Sequence, residues 1–274
     1  GLPLVLASVI TQAGPLLIRS VVADRYGFAE MGQFALAYDL GVKLVAAVSS
    51  TLDVLLFQLA VRTDEMHGRA EAKAQIARNM AIVLAVTAAT CVGFWLTLPS
   101  FEALLVPQSY HGHFSQYLTA LLPGFFAFGV MQYGVVPIFQ IEQRTWPVVA
   151  GSLVALIVAG LATAFAPEGT DAMWLARAQS VGACLGLATL LILAATRQPA
   201  WPRLRDFLAI AAGVGAMALC VAPLRGLPPG VLTMAMQVGL GVVTCAPFLL
   251  LFDVGSMRGA LTRRMAPGVT LTLR

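Results

Sequence analysis

The chain's 274 residues are 59% hydrophobic and only 11% charged, with a mean hydropathy of +0.84. Soluble domains average about 45–50% apolar and about 25% charged residues, so this composition excludes a fold whose surface faces water. The formal net charge of +4 comes from 17 basic and 13 acidic residues; because the arginines sit mostly in short loops between apolar runs, it speaks for membrane orientation and against nucleic acid.

A helix crosses the roughly 30 Å hydrocarbon core with about 20 apolar residues. Eight such runs follow in order: 2–22, 31–61, 79–98, 116–141, 147–165, 173–196, 207–224 and 231–252. Strands of a membrane barrel would alternate apolar and polar residues, whereas 207–220 and 231–252 are unbroken apolar stretches. The predicted fold is all-α, a polytopic bundle of about eight transmembrane helices over 1–252, with a cytoplasmic tail over 253–274.

The first span opens at Gly1 with no basic stretch before it and no small-residue cleavage site behind it. That pattern is not a signal peptide; a start in mid-helix reads as a piece of something longer. Arg19 and Arg25 flank its outward end. They suit interface anchors that snorkel to water, or forks that neutralise a pyrophosphate.

The second span is long and carries polar residues, so it tilts or projects beyond the bilayer. At about 100° per residue, Asp39, Lys43, Ser50 and Asp53 fall within a sector of roughly 80°. Asp39 and Lys43, four residues apart, are positioned to pair with each other. Ionisable groups at membrane depth are costly and face a bundle interior or a wet cavity. Two readings stay open: a self-neutralised pair with Asp53 in water at the cytoplasmic end, or one wall of an aqueous cavity for a charged substrate or ion.

The segment 63–78 mixes both charge signs and reads as a short surface helix, either a solvated connector or a contact for gating or a partner. The loop 99–115 holds His111 and His113, with no nearby Asp or Cys to complete a metal site. The fourth span carries Gln132, Tyr133 and Gln140 together with Pro123, Gly124 and Pro137. Proline removes a helix hydrogen bond, so a kinked helix is expected there. Its glutamines and tyrosine suit either a sugar-accommodating wall or ordinary interhelical hydrogen bonds. Arg177, just inside the sixth span, reads as an interface anchor. Cys91, Cys184, Cys220 and Cys245 all lie in apolar runs and read as membrane-core residues without disulfides or zinc spacing. The tail arginines Arg258, Arg263 and Arg264 suit anionic headgroups. No phosphate loop, nucleophile elbow or zinc-protease motif occurs, and the chain is not read as an enzyme.

Twelve Lys and Arg fall on the side of the 62–78 loop, Arg144, the 197–205 loop and the tail; Arg19, Arg25 and Arg225 fall on the other. This positive-inside bias places both termini in the cytoplasm, as does the even number of spans.

The opening GLPLVLASVITQAGPLLIRSVVADRYGFAEMGQFALAYDLGVKL, residues 1–44, resembles the start of the second half of the polysaccharide biosynthesis proteins. These are oligosaccharide flippases of the multidrug/oligosaccharidyl-lipid/polysaccharide exporter superfamily. IEQRTW at 141–146 and the charged loop after the long second span are similar to this family as well. The resemblance covers the chain in layout, and its recognisable words lie in 1–44 and near 140–147. It implies the second lobe of a two-lobed transporter in the bacterial inner membrane. Its cargo would be an undecaprenyl-pyrophosphate-linked oligosaccharide for O-antigen or exopolysaccharide export, moved by alternating access. A lipid II transporter or a cation-coupled drug transporter of the same superfamily is the alternative, with a polyprenyl-linked glycosyltransferase or polymerase behind it. The implied partners are the lipid-linked oligosaccharide, membrane lipids, and a missing N-terminal lobe or partner subunit. No cofactor is expected, with H+ or Na+ as possible coupling ions. The family offers no residue-level motif to transfer, so Asp39, Lys43, Ser50, Asp53, Arg19, Arg25, Gln132, Tyr133 and Gln140 are cavity candidates on polarity alone.

Overall fold

A computed structural model describes residues 2–167, 170–197 and 200–256, and side chains throughout these except at 51–54. The tail arginines Arg258, Arg263 and Arg264 and the side chain of Asp53 lie outside the described residues. Nine α-helices are present among them: α1 (Leu2–Tyr26), α2 (Phe28–His67), α3 (Arg69–Leu105), α4 (His113–Gly129), α5 (Val136–Ile141), α6 (Trp146–Ala164), α7 (Met173–Ala195), α8 (Leu204–Val221) and α9 (Val231–Leu251). They supply eight segments long and apolar enough to cross a membrane, because α4 and α5 form one span through a π-helical stretch, Val130–Val135. The chain is a multi-pass helical membrane protein.

Large apolar side chains point outward along most of the spans, among them Leu16, Leu17, Leu219, Val242 and Val243, whereas the fourth span is mostly buried within the bundle. Lipid tails are as apolar as leucine, so association in the bilayer depends on close packing of small residues and on interhelical hydrogen bonds. The α6–α7 contact shows this most plainly. A Cβ added at Gly182 would stand 2.6 Å from the Ala155 carbonyl oxygen, and one at Gly186 would stand 2.8 Å from Ala155 Cβ and from the Gly151 carbonyl. The run Gly182-Ala-Cys-Leu-Gly186 thus lets two backbones touch. Gly124 on α4 meets the Ser180 backbone in the same way, at 2.9 Å, and the Ser180 hydroxyl donates to the Ala120 carbonyl at 2.6 Å. Helices α8 and α9 pack on each other and on α3. Buried Gln237 holds that corner by donating to the Leu224 carbonyl at 3.2 Å.

Three sequence expectations change. The segment 63–78 is not a separate surface helix: α2 continues to His67, Gly68 breaks the chain with φ 82°, and α3 starts at Arg69. Glycine accepts that backbone without a Cβ penalty. At 40 and 37 residues, α2 and α3 run roughly 60 and 55 Å, beyond the bilayer's 40–45 Å. The stretch 99–115 is also shorter as a loop, since α3 passes through Pro99 to Leu105 and α4 begins at His113. In the fourth span, α4 carries Pro123 as an uninterrupted helix, and the irregularity falls just before Pro137 as the π-helical stretch.

At the end of the bundle where α2 begins, Glu30 ties two helices together. Its carboxylate accepts from the Tyr117 hydroxyl and stands 3.3 Å from His113 Nδ1. His111 instead lies 2.8 Å from the Val106 carbonyl. No group of three potential metal ligands occurs among the described residues.

Candidate functional site

The charges of α1 and α2 meet across the turn at Gly27. Arg19 lies seven residues before the end of α1, about two turns deep, and its Nη2 donates to the Asp39 carboxylate. The expectation that Asp39 pairs with Lys43 on its own helix is therefore corrected. Asp39 takes the guanidinium of the neighbouring helix, whose planar fork is more weakly hydrated than an ammonium and suits a partly buried pair. Arg19 is correspondingly no interface anchor. Its side chain is three-quarters buried, and its guanidinium carbon stands 5.5 Å from the centre of the Tyr38 ring.

From this pair a polar seam runs into the helix bundle. Tyr38 packs edge-on against Phe125 at 5.5 Å, and its side chain and that of Gln179 on α7 line the same space. Beyond Gln179 lies a small chamber of about 50 Å³ between α1, α4, α6 and α7, into which Thr11 and Ser152 also face. The Thr11 hydroxyl donates to the Ser152 hydroxyl at 3.1 Å. The Gln179 Oε1 atom is buried and has no hydrogen-bond partner, and the same is true of Arg19 Nε. A chamber of this size with three polar groups has room for water or a small ion. Gly14 also lines it, where a Cβ would stand at ordinary contact distance, 3.8 Å, from the Gln179 amide nitrogen.

Lys43 and Ser50 behave differently. Both are exposed, one and three turns beyond Asp39 on the same side of α2, and the side chain of Asp39 is itself 49% exposed. Lys43 sits 15 residues into α2, roughly 22 Å along its axis, and has no carboxylate partner among the described residues. Lys43 and Ser50 thus lie exposed on one side of α2, while the Asp53 side chain of the expected stripe lies outside the described residues. The remaining candidates do not join it. Arg25 is exposed at the last turn of α1. Gln132 is exposed and Tyr133 half-buried within the π-helical stretch. Gln140 lines a separate cleft with Gln143, Arg144 and Arg197. Arg177 lines an outer cleft that it shares with Arg225, Glu102 and Asp171.

Sequence reasoning overlooked Thr11, Ser152 and Gln179, because single polar residues in three different apolar runs carry no spacing signal. The Arg19–Asp39 pair did leave one. Counted from Gly27, the arginine lies 8 residues before the turn and the aspartate 12 after, about one helical turn from mutual register in an antiparallel pair.

No protein-family model matches the chain, and no curated protein does. Its fold is similar to that of a solved structure, the lipid II flippase MurJ in an inward closed conformation, with a TM-score of 0.71 and 16% sequence identity. The match covers 93% of this chain and 53% of that one, so the chain spans about half the length of the structure it matches. It has the fold of half a helical membrane flippase.

Proposed function

We propose that the chain is one lobe of a membrane flippase that moves a lipid-linked oligosaccharide carried on undecaprenyl pyrophosphate across the bacterial inner membrane. The observation that carries this reading is Lys43, an exposed cation at membrane depth with no carboxylate partner among the described residues. A bare ammonium in hydrocarbon is costly, so this face of α2 belongs against a wet cavity. A second lobe, in the same polypeptide or as a partner subunit, closes that cavity on its far side. The ammonium attracts the pyrophosphate, and Asp39 and Ser50 offer acceptors to sugar hydroxyls. The polyprenyl tail stays among the lipids while the two lobes rock around the head group. The excess of Lys and Arg on one side supports an orientation with both termini in the cytoplasm. A coupling H+ or Na+ belongs to the same proposal, with the oxygens of Thr11, Ser152 and Gln179 as available donors for a hard cation.

The test is a Lys43→Ala, Asp39→Ala double variant in the full-length protein. Glycan export is expected to fall while the protein remains folded in the membrane, with cytoplasm-facing glycolipid accumulating. Normal export would refute the cavity assignment. The likeness to a lipid II flippase favours lipid II as the second reading of the cargo. Vesicles reconstituted with each glycolipid in turn separate the two by which one the protein flips.

A further inference from the structure

A second cationic feature lies at the opposite end of α1 from Arg19. Helix α5 closes there on a Schellman turn: the Gln143 amide donates to the Gln140 carbonyl at 3.1 Å and the Arg144 amide to the Phe139 carbonyl at 3.0 Å. Gln143 takes the left-handed position of this turn, with φ 55°, where glycine is the usual residue. For a side-chain-bearing residue that conformation costs about 1–2 kcal/mol.

The strained turn brings Gln143 and Arg144 into a cleft of about 600 Å³, together with Gln140, Arg197, Trp146 and Leu4. No carboxylate lines this cleft, and neither arginine has an ion-pair partner among the described residues. The start of α6 also borders it. The N-cap residue of that helix, Thr145, makes no side-chain cap hydrogen bond, so the positive end of the helix dipole remains uncompensated there. Two other charged clefts differ in this respect: Arg69 and Lys73 share theirs with Glu142, and Arg177 and Arg225 share theirs with Glu102 and Asp171.

The surroundings indicate what kind of anion fits. The Trp146 ring is 63% exposed, as befits an aromatic residue at the headgroup level. From Leu4 at the cleft, the exposed side chains of Leu2, Val5 and Val9 form an apolar ridge along α1. A soluble phosphate would use the arginines and leave the tryptophan and the ridge idle. We infer that the cleft binds the phosphate headgroup of an anionic phospholipid, with an acyl chain along Leu2, Val5 and Val9. Arginine forks match phosphate oxygens in geometry as well as in charge, and the glutamine amides donate to the oxygens left over. This inference does not depend on the flippase reading.

The chain in detergent, offered equal amounts of phosphatidylglycerol and phosphatidylcholine, provides the test by native mass spectrometry. Phosphatidylglycerol is expected to be retained about tenfold over phosphatidylcholine. An Arg144→Gln, Arg197→Gln variant should bring the two lipids near parity, and an Arg69→Gln, Lys73→Gln variant across α5 should keep the preference. If the first variant does not fold, Arg144→Lys, Arg197→Lys retains the charge without the fork and should reduce the preference measurably. Equal retention by the unaltered chain would overturn the inference whatever the variants do, and so would an undiminished preference in the Arg144, Arg197 variants. Displacement of the lipid by an equal concentration of inorganic phosphate would assign the cleft to a soluble anion and overturn the lipid.

Discussion

The α6–α7 contact and the outer face of α2 are cut from similar apolar helices and have opposite fates. Along α6 and α7, Gly151, Gly182 and Gly186 remove side chains until carbonyl oxygens and Cβ atoms leave no room for a methyl group. Along α2, Lys43 and Ser50 stand exposed, and Asp39 is half exposed beside its Arg19 partner. In a solvent of lipid tails, a helix face without polar groups is joined by shape, and a face with polar groups awaits either water or another protein surface. The bundle is therefore tightly closed on one side and open on the other.

Substitution measures that contrast. The largest stability loss is expected from filling the closed side: Gly182→Val places carbon where the Ala155 carbonyl and Ala159 already stand. Overpacking of this kind costs about 1–3 kcal/mol or more, and thermal unfolding in detergent reads it directly. An unchanged midpoint would mean that α6 and α7 separate easily, against the contrast drawn here.

Next comes the seam between the two regions. Asp39→Asn leaves the three-quarters-buried Arg19 without its counter-charge. Losing one partner costs about 3–5 kcal/mol in a fully buried pair and about 0–1 kcal/mol at a surface. With Asp39 half exposed, an intermediate loss of roughly 1–2 kcal/mol is expected. An Arg19→Leu, Asp39→Leu double variant should recover part of it, and a double-mutant cycle measures the coupling. Additive losses would show that the pair contributes nothing.

Gln179→Leu is expected to be milder. It deletes a buried Oε1 that has no hydrogen-bond partner, a change of about 1 kcal/mol or less. A large destabilisation would reveal that the chamber's polar groups are satisfied through bound water. The smallest effect belongs to the open face: Lys43→Leu should change stability by less than about 0.5 kcal/mol, even though the same position is central to the proposed transport. Marked stabilisation or loss there would show that the lysine already has a partner within the lobe.

The spans were legible in the sequence because twenty apolar residues in a row have one use in a chain this poor in charge. The polar stripe of α2 was legible because it lies on a single helix, where spacing alone sets the face. Contacts between helices were not. Arg19 looked like an anchor until α1 and α2 were laid side by side, and Gln179 passed unnoticed as one amide among alanines and leucines. The segment 63–78 misled for a different reason. Charged residues that favour helix look alike whether they form a surface helix or prolong two spans, and only the backbone at Gly68 separates these outcomes.

The π-helical stretch at Val130–Val135 sets which way the end of the fourth span faces. Such a turn holds one residue more than the regular helix around it, so everything after it is rotated by about 100° relative to a uniform wheel. Gln140 faces its own cleft and not the side that Gln132 and Tyr133 would predict for it. Removing one residue between 130 and 135 would restore an ordinary helix while swinging Gln140 away from Arg144 and Arg197, so a change that tidies the backbone would erase the cleft.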